Sequence, residues 1–349
     1  MEAAYGNKIK PLHLLPPPIT LRGMQQRSAE SPITIRPATL KDAAEICELI
    51  NKIDVIETGE PETEVAEVVR DMTLAGTQPE TDTWLSLDAD GTLVGYALVC
   101  DSHGTGHIDA DHYALPEHQE AGAALLDLMG SRAAAIARNN GQHEAVCHLY
   151  LRERSTLNPA LLQERGWRPV RRYSLLAKPV APDTDTLPPV QPGVSVHACA
   201  SETDLRLAHD LIEKAFTHHF SHHPVTFEQW CQQLATPTSK VDPTLVWLAS
   251  VEGIGTVGAL AAHDNRKTMG WVRQLGVIED ARGHGIGAYL LRTAFTTFAM
   301  RSRDTVGLGV DTENTTGALA LYEKLGMKPH QAIDTWQLRT RTTDLIVPR

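Results

Sequence analysis

The sequence predicts a mixed α/β fold, a sheet with helices on both faces, built twice in tandem. Three observations carry this expectation. At 349 residues the chain is too long for one ordinary hydrophobic core and suits two. Its second half repeats the first at a period of roughly 160 residues. Within each copy, strand-like alternation and helix-like periodicity follow one another in the same order. Hydrophobic residues at 42% and charged residues at 21% leave enough apolar material for two packed cores and exclude a disordered or fibrous chain.

The copies open alike. Ile33-Thr-Ile-Arg and Val194-Ser-Val-His are short alternating strands, each followed by a capped amphipathic helix starting around Thr39–Asp42 and Ser201–Asp204. In the middle, Asp82-Thr-Trp84-Leu and the strand through Gly95 match Leu245-Val-Trp247-Leu and the strand through Gly258. Asp90-Gly91 and Glu252-Gly253 supply the hairpin turns between them. Towards the end, Leu161-Leu-Gln-Glu-Arg-Gly166-Trp167 and Leu321-Tyr-Glu-Lys-Leu-Gly326-Met327 each run a helix into a Gly suited to a left-handed C-cap, and both return as a strand. Between the copies, residues 178–193 are dense in proline and lack hydrophobic periodicity, as a semi-rigid connector would. The expected organisation is an N-terminal arm over 1–31, a first domain over 32–177, the connector over 178–193 and a second domain over 194–349.

The net charge of −11, without long runs of either sign, offers no positive surface for nucleic acid or anionic lipid. The longest apolar stretches are strand-length, well short of the roughly 20 residues a membrane helix needs, and Met1–Ser31 lacks the apolar core and cleavage site of a signal peptide. Five scattered cysteines with no Cys-x-x-Cys spacing argue against a disulfide framework or zinc knuckle. A soluble cytoplasmic protein, monomer or homodimer, with no nucleic-acid or membrane partner is expected.

One turn carries chemistry. Strand Trp271–Val277 leads through Ile278–Ala281 into Arg282-Gly283-His284-Gly285-Ile286-Gly287 and then an amphipathic helix from Ala288. Glycines at a strand-to-helix turn let backbone approach a ligand closely, and the open N–H groups of a helix start favour a pyrophosphate. A dinucleotide fold would place such a turn after its first strand, and a Walker loop needs Gly-Lys-Ser/Thr; neither fits.

Arg-x-x-Gly-x-Gly after a Leu-x-Val strand resembles motif A of the Gcn5-related N-acetyltransferases. Leu308-Gly-Val-Asp-Thr-Glu-Asn314 and Ala318-Leu-Ala-Leu-Tyr322-Glu-Lys-Leu-Gly326-Met327 are similar to the family's later signatures. The tandem arrangement is similar to mycothiol synthase-like two-domain actinobacterial acetyltransferases. The resemblance implies an acetyl-CoA-dependent N-acetyltransferase acting on a small-molecule primary amine by direct transfer in the C-terminal domain, with acetyl-CoA as co-substrate in a splay between two parallel strands and no metal. On this chain it implies coenzyme contacts from Leu275, Gly276 and Val277, from Arg282, Gly283, His284, Gly285, Ile286, Gly287 and Ala288, and from Asn314. Tyr322, a phenol with an ordinary pKa of about 10, becomes the general acid for the thiolate. Packing for Tyr322 and helix capping for Asn314 are the plain structural alternatives.

The pattern also departs from the family. Where many members carry a strand carboxylate as base, this chain holds Trp271, Arg273 and Gln274. His219, in the run Phe216-Thr-His-His-Phe-Ser-His-His223, is the first choice of proton acceptor, since histidine titrates in the useful range. The same cluster has metal-ligand character but no accompanying carboxylate motif. In the first copy the glycine turn reads Pro116-Glu-His-Gln-Glu-Ala-Gly122-Ala, Leu162 stands opposite Tyr322 and Arg154 opposite Asn314. That copy is expected to be non-catalytic, a partner that shapes the substrate cleft. The competing functions are an acyl-CoA-binding sensor and a protein N-terminal or lysine acetyltransferase.

Overall fold

A computed structural model describes residues 33–342 except 75, 103, 218, 221, 236–240, 265–267 and 315. The expected arm over 1–31 lies outside these residues.

The first copy runs β1 (Thr34–Pro37), α1 (Ala43–Thr58), α2 (Val65–Met72), a helical turn at Pro79–Asp82, β2 (Thr83–Leu87), β3 (Leu93–Cys100), β4 (His107–Ala114), α3 (Gln119–Asn139), β5 (Glu144–Arg152), α4 (Pro159–Glu164) and β6 (Arg168–Pro179). The second repeats the order with β7 (Val194–Ala198), α5 (Glu202–Phe216), α6 (Phe227–Leu234), β8 (Val246–Val251), β9 (Gly255–His263), β10 (Met269–Val277), α7 (Ile286–Met300), β11 (Thr305–Asp311), α8 (Ala318–Lys324) and β12 (Lys328–Arg341).

Local signals explain most boundaries. Ser201 caps α5 by accepting from the Asp204 N–H while the Asp204 carboxylate accepts from the Ser201 N–H, a reciprocal box that satisfies two otherwise orphaned donors. Gly91 and Gly253 both sit at φ +79° in their hairpins, and Gly166 and Gly326 at +84° and +88° beyond α4 and α8.

The chain divides into two compact units, one taking its described residues from 33–172 and 333–342, the other from 173–332. In the N-terminal unit the strand order is β1-β2-β3-β4-β5-β12, in the C-terminal unit β6-β11-β10-β9-β8-β7. The pairs β4–β5 and β10–β11 are parallel and the others antiparallel. Each sheet carries a core on either face. In the N-terminal unit α3 packs on one side and α1 with α2 on the other; in the C-terminal unit α7 packs on one side and α5 with α6 on the other.

The division differs from the expected one. The sequence repeat breaks at the connector, but the units change over at Tyr173 and Ile333. Tyr173–Pro179 of β6 pair with Asp311–Thr305 of β11, and Ile333–Arg341 of β12 pair with Arg152–Glu144 of β5. Each copy therefore lends its last strand to the other copy's unit. Both strands exceed ten residues, long enough to leave one unit and reach the next, and alternation along a strand does not specify which edge it joins. The connector is fastened to the C-terminal unit. The Thr296 hydroxyl donates to the Asp185 carbonyl at 2.6 Å, the Val180 N–H to the Asp304 carbonyl at 2.9 Å, and the Glu252 N–H to the Gly193 carbonyl at 2.7 Å.

Candidate active site

The site in the C-terminal unit begins where two parallel strands part. Trp271 and Gly307 form the last parallel pair of β10 and β11, and beyond it the strands separate. A bulge at Arg273 marks the same point, where the register with β9 steps from Val272–Ala262 to Gln274–Ala261. The extra residue bends β10 away from β11. Past the bulge, Ile278 donates its N–H to Val257 on the β9 side. Successive amides along extended backbone point to opposite sides, so the Val277 N–H faces the splay. Gly276 is glycine for a packing reason: a Cβ there would lie 2.8 Å from the Ala215 Cβ of α5.

The glycine turn follows. Gly283 and Gly285 adopt φ +81° and +76°, the left-handed region that costs other residues roughly 1–2 kcal/mol. Helix α7 closes its first bond from the Tyr289 N–H to the Gly285 carbonyl, which leaves the amides of Ile286, Gly287 and Ala288 as the open donors of the first turn. Arg282 differs from its expected part. Its N–H already donates to the Glu279 carbonyl at 3.0 Å, and its Nε donates to the Val277 carbonyl at 3.1 Å. The backbone cradle thus starts at Gly283, and the Arg282 side chain braces the end of β10. His284 folds back so that Nδ1 lies 3.0 Å from the Arg282 carbonyl.

Helix α8 lies beside this turn: a Cβ on Gly287 would stand 3.4 Å from the Leu321 Cδ2. The neighbouring residue, Tyr322, is 8% exposed within the core that also takes in Ile286 and Leu290. Asn314 does not cap α8. Its Oδ1 accepts from the Thr316 N–H at 2.7 Å and the Thr316 hydroxyl at 2.5 Å, and the helix starts after Gly317.

On the opposite face, the His-rich turn follows α5. His219 packs on Phe216 at 4.2 Å between ring centroids. Burial pushes its pKa below the ordinary value; Asp311 at the end of β11 opposes the shift, while His222 and Arg282 add to it. The imidazole is therefore neutral at pH 7. Two features here escaped sequence reasoning. Gln274, 5% exposed, accepts from the Trp230 indole N–H at 2.8 Å, so the strand position that lacks a carboxylate is a buried amide anchoring α6. Glu213 lies 3.1 Å from His222 Nε2; the nine-residue gap between helix and loop gives no periodic signal. Among the described residues no group of three or more His, Cys, Asp or Glu is placed to hold a metal ion.

In the N-terminal unit the equivalent turn, residues 115–118, has no residue in the left-handed region. Gly122 lies within α3, where a Cβ would come 3.2 Å from the Ala114 Cβ. Helix α4 ends as α8 does. Trp167 donates to the Leu162 carbonyl and Met327 to the Tyr322 carbonyl, so Leu162 and Tyr322 occupy one position of the repeat.

Residues 205–327 match the Acetyltransferase (GNAT) family. A Mycothiol acetyltransferase of Streptomyces avermitilis is 30% identical over 264 residues, 74% of this chain and 80% of that protein. The chain belongs to the GNAT family of acetyltransferases. A Mycothiol acetyltransferase of Streptomyces griseus subsp. griseus is 29% identical over 256 residues, 70% of this chain and 76% of that one. Among solved structures, a GCN5-related N-acetyltransferase from Sphaerobacter thermophilus superposes with a TM-score of 0.72 at 25% identity, covering 88% of this chain and 96% of its own. A tandem GNAT protein from the clavulanic acid biosynthesis pathway shares the fold at 14% identity and a TM-score of 0.64, with 90% and 100% covered. As a GNAT protein the chain is an N-acetyltransferase with acetyl-CoA as its co-substrate. The left-handed glycines and open first-turn amides fit the pyrophosphate of that co-substrate. No helix among the described residues is long and apolar enough to cross a membrane.

Proposed function

We propose that the C-terminal unit transfers the acetyl group of acetyl-CoA directly to the primary amine of a small molecule, and that the N-terminal unit is non-catalytic. The observation that carries this reading is the Gly283–Gly285 turn beside the β10–β11 splay, which has no counterpart at residues 115–118. In this reading the amides from Gly283 to Ala288 hold the pyrophosphate, the edge of Leu275–Val277 pairs with the pantetheine arm, and the Val277 N–H polarises the thioester carbonyl.

The amine nitrogen forms a bond to the thioester carbonyl carbon as the carbon–sulfur bond breaks. His219, neutral at pH 7, takes the proton the amine must lose. Tyr322 gives a proton to the departing thiolate. Two observations support the placement of Tyr322: its helix abuts the glycine turn, and the non-catalytic copy has leucine at the same point.

Calorimetric titration of Gly285→Glu with CoA tests the assignment. A side chain at φ +76° and a negative charge in the cradle should abolish binding that the wild-type protein shows. Unchanged affinity would place the coenzyme elsewhere.

A further inference from the structure

The connector ends at the glycine turn. A Cβ on Gly285 would stand 3.1 Å from Gln191 Nε2 and 4.0 Å from Gln191 Cδ, so the Gln191 carboxamide lies against the residue that caps the start of α7. At Gly283 a Cβ would meet nothing within 4 Å among the described residues. The cradle is thus open at Gly283 and flanked at Gly285 by a side chain from the connector.

The connector's own sequence and fastenings put Gln191 there. Asp185 is held at its carbonyl by the Thr296 hydroxyl of α7 at 2.6 Å. Gly193 is held by the Glu252 N–H at 2.7 Å, and the Val194 N–H donates to the Gln191 carbonyl at 3.0 Å. Between Thr296 and Gly285 lies about 17 Å of helix, at about 1.5 Å per residue. The stretch from Asp185 to Gln191 must be nearly extended to cover that distance, since a polyproline-type chain gives about 19 Å over it at roughly 3.1 Å per residue. It runs along α7 from the C-terminal half of the helix to its first turn. Pro188, Pro189 and Pro192 stiffen it, and Pro192 also keeps Gln191 itself extended.

The polar atoms nearest the turn differ in where they point. Arg282 Nε donates to the Val277 carbonyl, and His284 Nδ1 lies 3.0 Å from the Arg282 carbonyl, so both are turned back on the turn's own backbone. Gln191 instead brings an amide nitrogen to Gly285, and a carboxamide N–H is a donor without the charge that would repel an anion. It also lies outside residues 205–327, the span that matches the GNAT family.

We propose that Gln191 is a coenzyme-binding residue, its carboxamide N–H donating to the pyrophosphate of acetyl-CoA, a role that rests on the pyrophosphate reading of the Gly283–Ala288 turn. The connector between the copies then completes the coenzyme site of the second one. A side chain presented by a stiff segment fastened at both ends loses little freedom when the ligand arrives, which lets one exposed glutamine add to affinity.

Calorimetric titration of the full chain with CoA and with 3′-dephospho-CoA, which keeps the pyrophosphate, tests the contact. Gln191→Ala should weaken both ligands severalfold and to the same extent. Gln191→Glu should weaken them further, by about tenfold or more at low salt, because it sets a like charge beside the anion. Val190→Ser, at an exposed neighbour in the same stretch, should leave both affinities unchanged, and kcat of Gln191→Ala at saturating acetyl-CoA should stay at the wild-type value. Wild-type or tighter binding by Gln191→Ala, a loss confined to CoA, or an equal loss in Val190→Ser overturns the proposal. Gly285→Glu keeps the two readings apart. If it abolishes binding while Gln191→Ala binds as wild type, the cradle stands and the connector has no part in it; if Gly285→Glu binds normally, the pyrophosphate assignment itself fails.

Discussion

Tyr322 and Leu162 end their helices with the same hydrogen bonds and differ in one hydroxyl and an aromatic ring. The clearest test of the proposed acid is therefore Tyr322→Phe, which keeps the ring in its core. We expect kcat to fall roughly a hundred- to ten-thousand-fold, as for loss of a positioned acid, with acetyl-CoA affinity nearly constant; wild-type kcat when chemistry limits turnover would make Tyr322 a packing residue. His219 gives a pH test. Its folded pKa lies below the ordinary histidine value, so the neutral, proton-accepting form dominates at pH 7 and is lost as pH falls through that lowered pKa. The acid limb of kcat/KM should lie below about pH 6.5, and His219→Gln should flatten it; a limb that persists in the variant assigns the base to another group. The type of these residues was legible because each stands in a short motif. That Glu213 pairs with His222, or that the Arg282 amide is already engaged, depends on how a loop folds back and leaves no trace in spacing.

Among elements, the hairpins, helix caps and glycine turn were readable because a few adjacent residues determine each of them. Gly276 was read as a coenzyme contact, and the structure adds a packing role: α5 crosses β10 so closely that Leu211 and Ile212 backbone atoms lie 3.6 Å from a would-be Cβ and the Ala215 Cβ lies at 2.8 Å. The end of that helix also carries the His-rich turn, so its seat on the sheet sets where His219 stands. Gly276→Val should push α5 outward, destabilising by about 1–3 kcal/mol and lowering kcat/KM; thermal denaturation and steady-state rates check both. A fully stable and active variant would show that the helix seat does not position the turn. Helix capping, the structural alternative for Asn314, is not its role: the helix starts at Ala318, because Asn314 closes a turn with Thr316 and Gly317 takes the cap at φ +78°.

For the whole molecule, the repeat was legible but the exchange of final strands was not, since either edge strand would satisfy the same alternation along Tyr173–Pro179 and Ile333–Arg341. The exchange gives a direct prediction. Proteolytic cleavage within 186–192 leaves one fragment holding β6 of the C-terminal sheet and the other holding β12 of the N-terminal sheet. The nicked fragments should co-elute in gel filtration and retain acetyltransferase activity, separating in denaturant; dissociation under native conditions would contradict the strand assignments. The same connectivity governs the order in which the molecule can be completed during synthesis. A leading domain ordinarily finishes folding while the rest of the chain is still emerging. Here the β5 edge waits for Ile333–Arg341, made after the rest of the second copy, whereas β11 finds Tyr173–Pro179 already made. The half that is born first is thus the half that closes last, and an unpaired edge stands open throughout translation of the second copy.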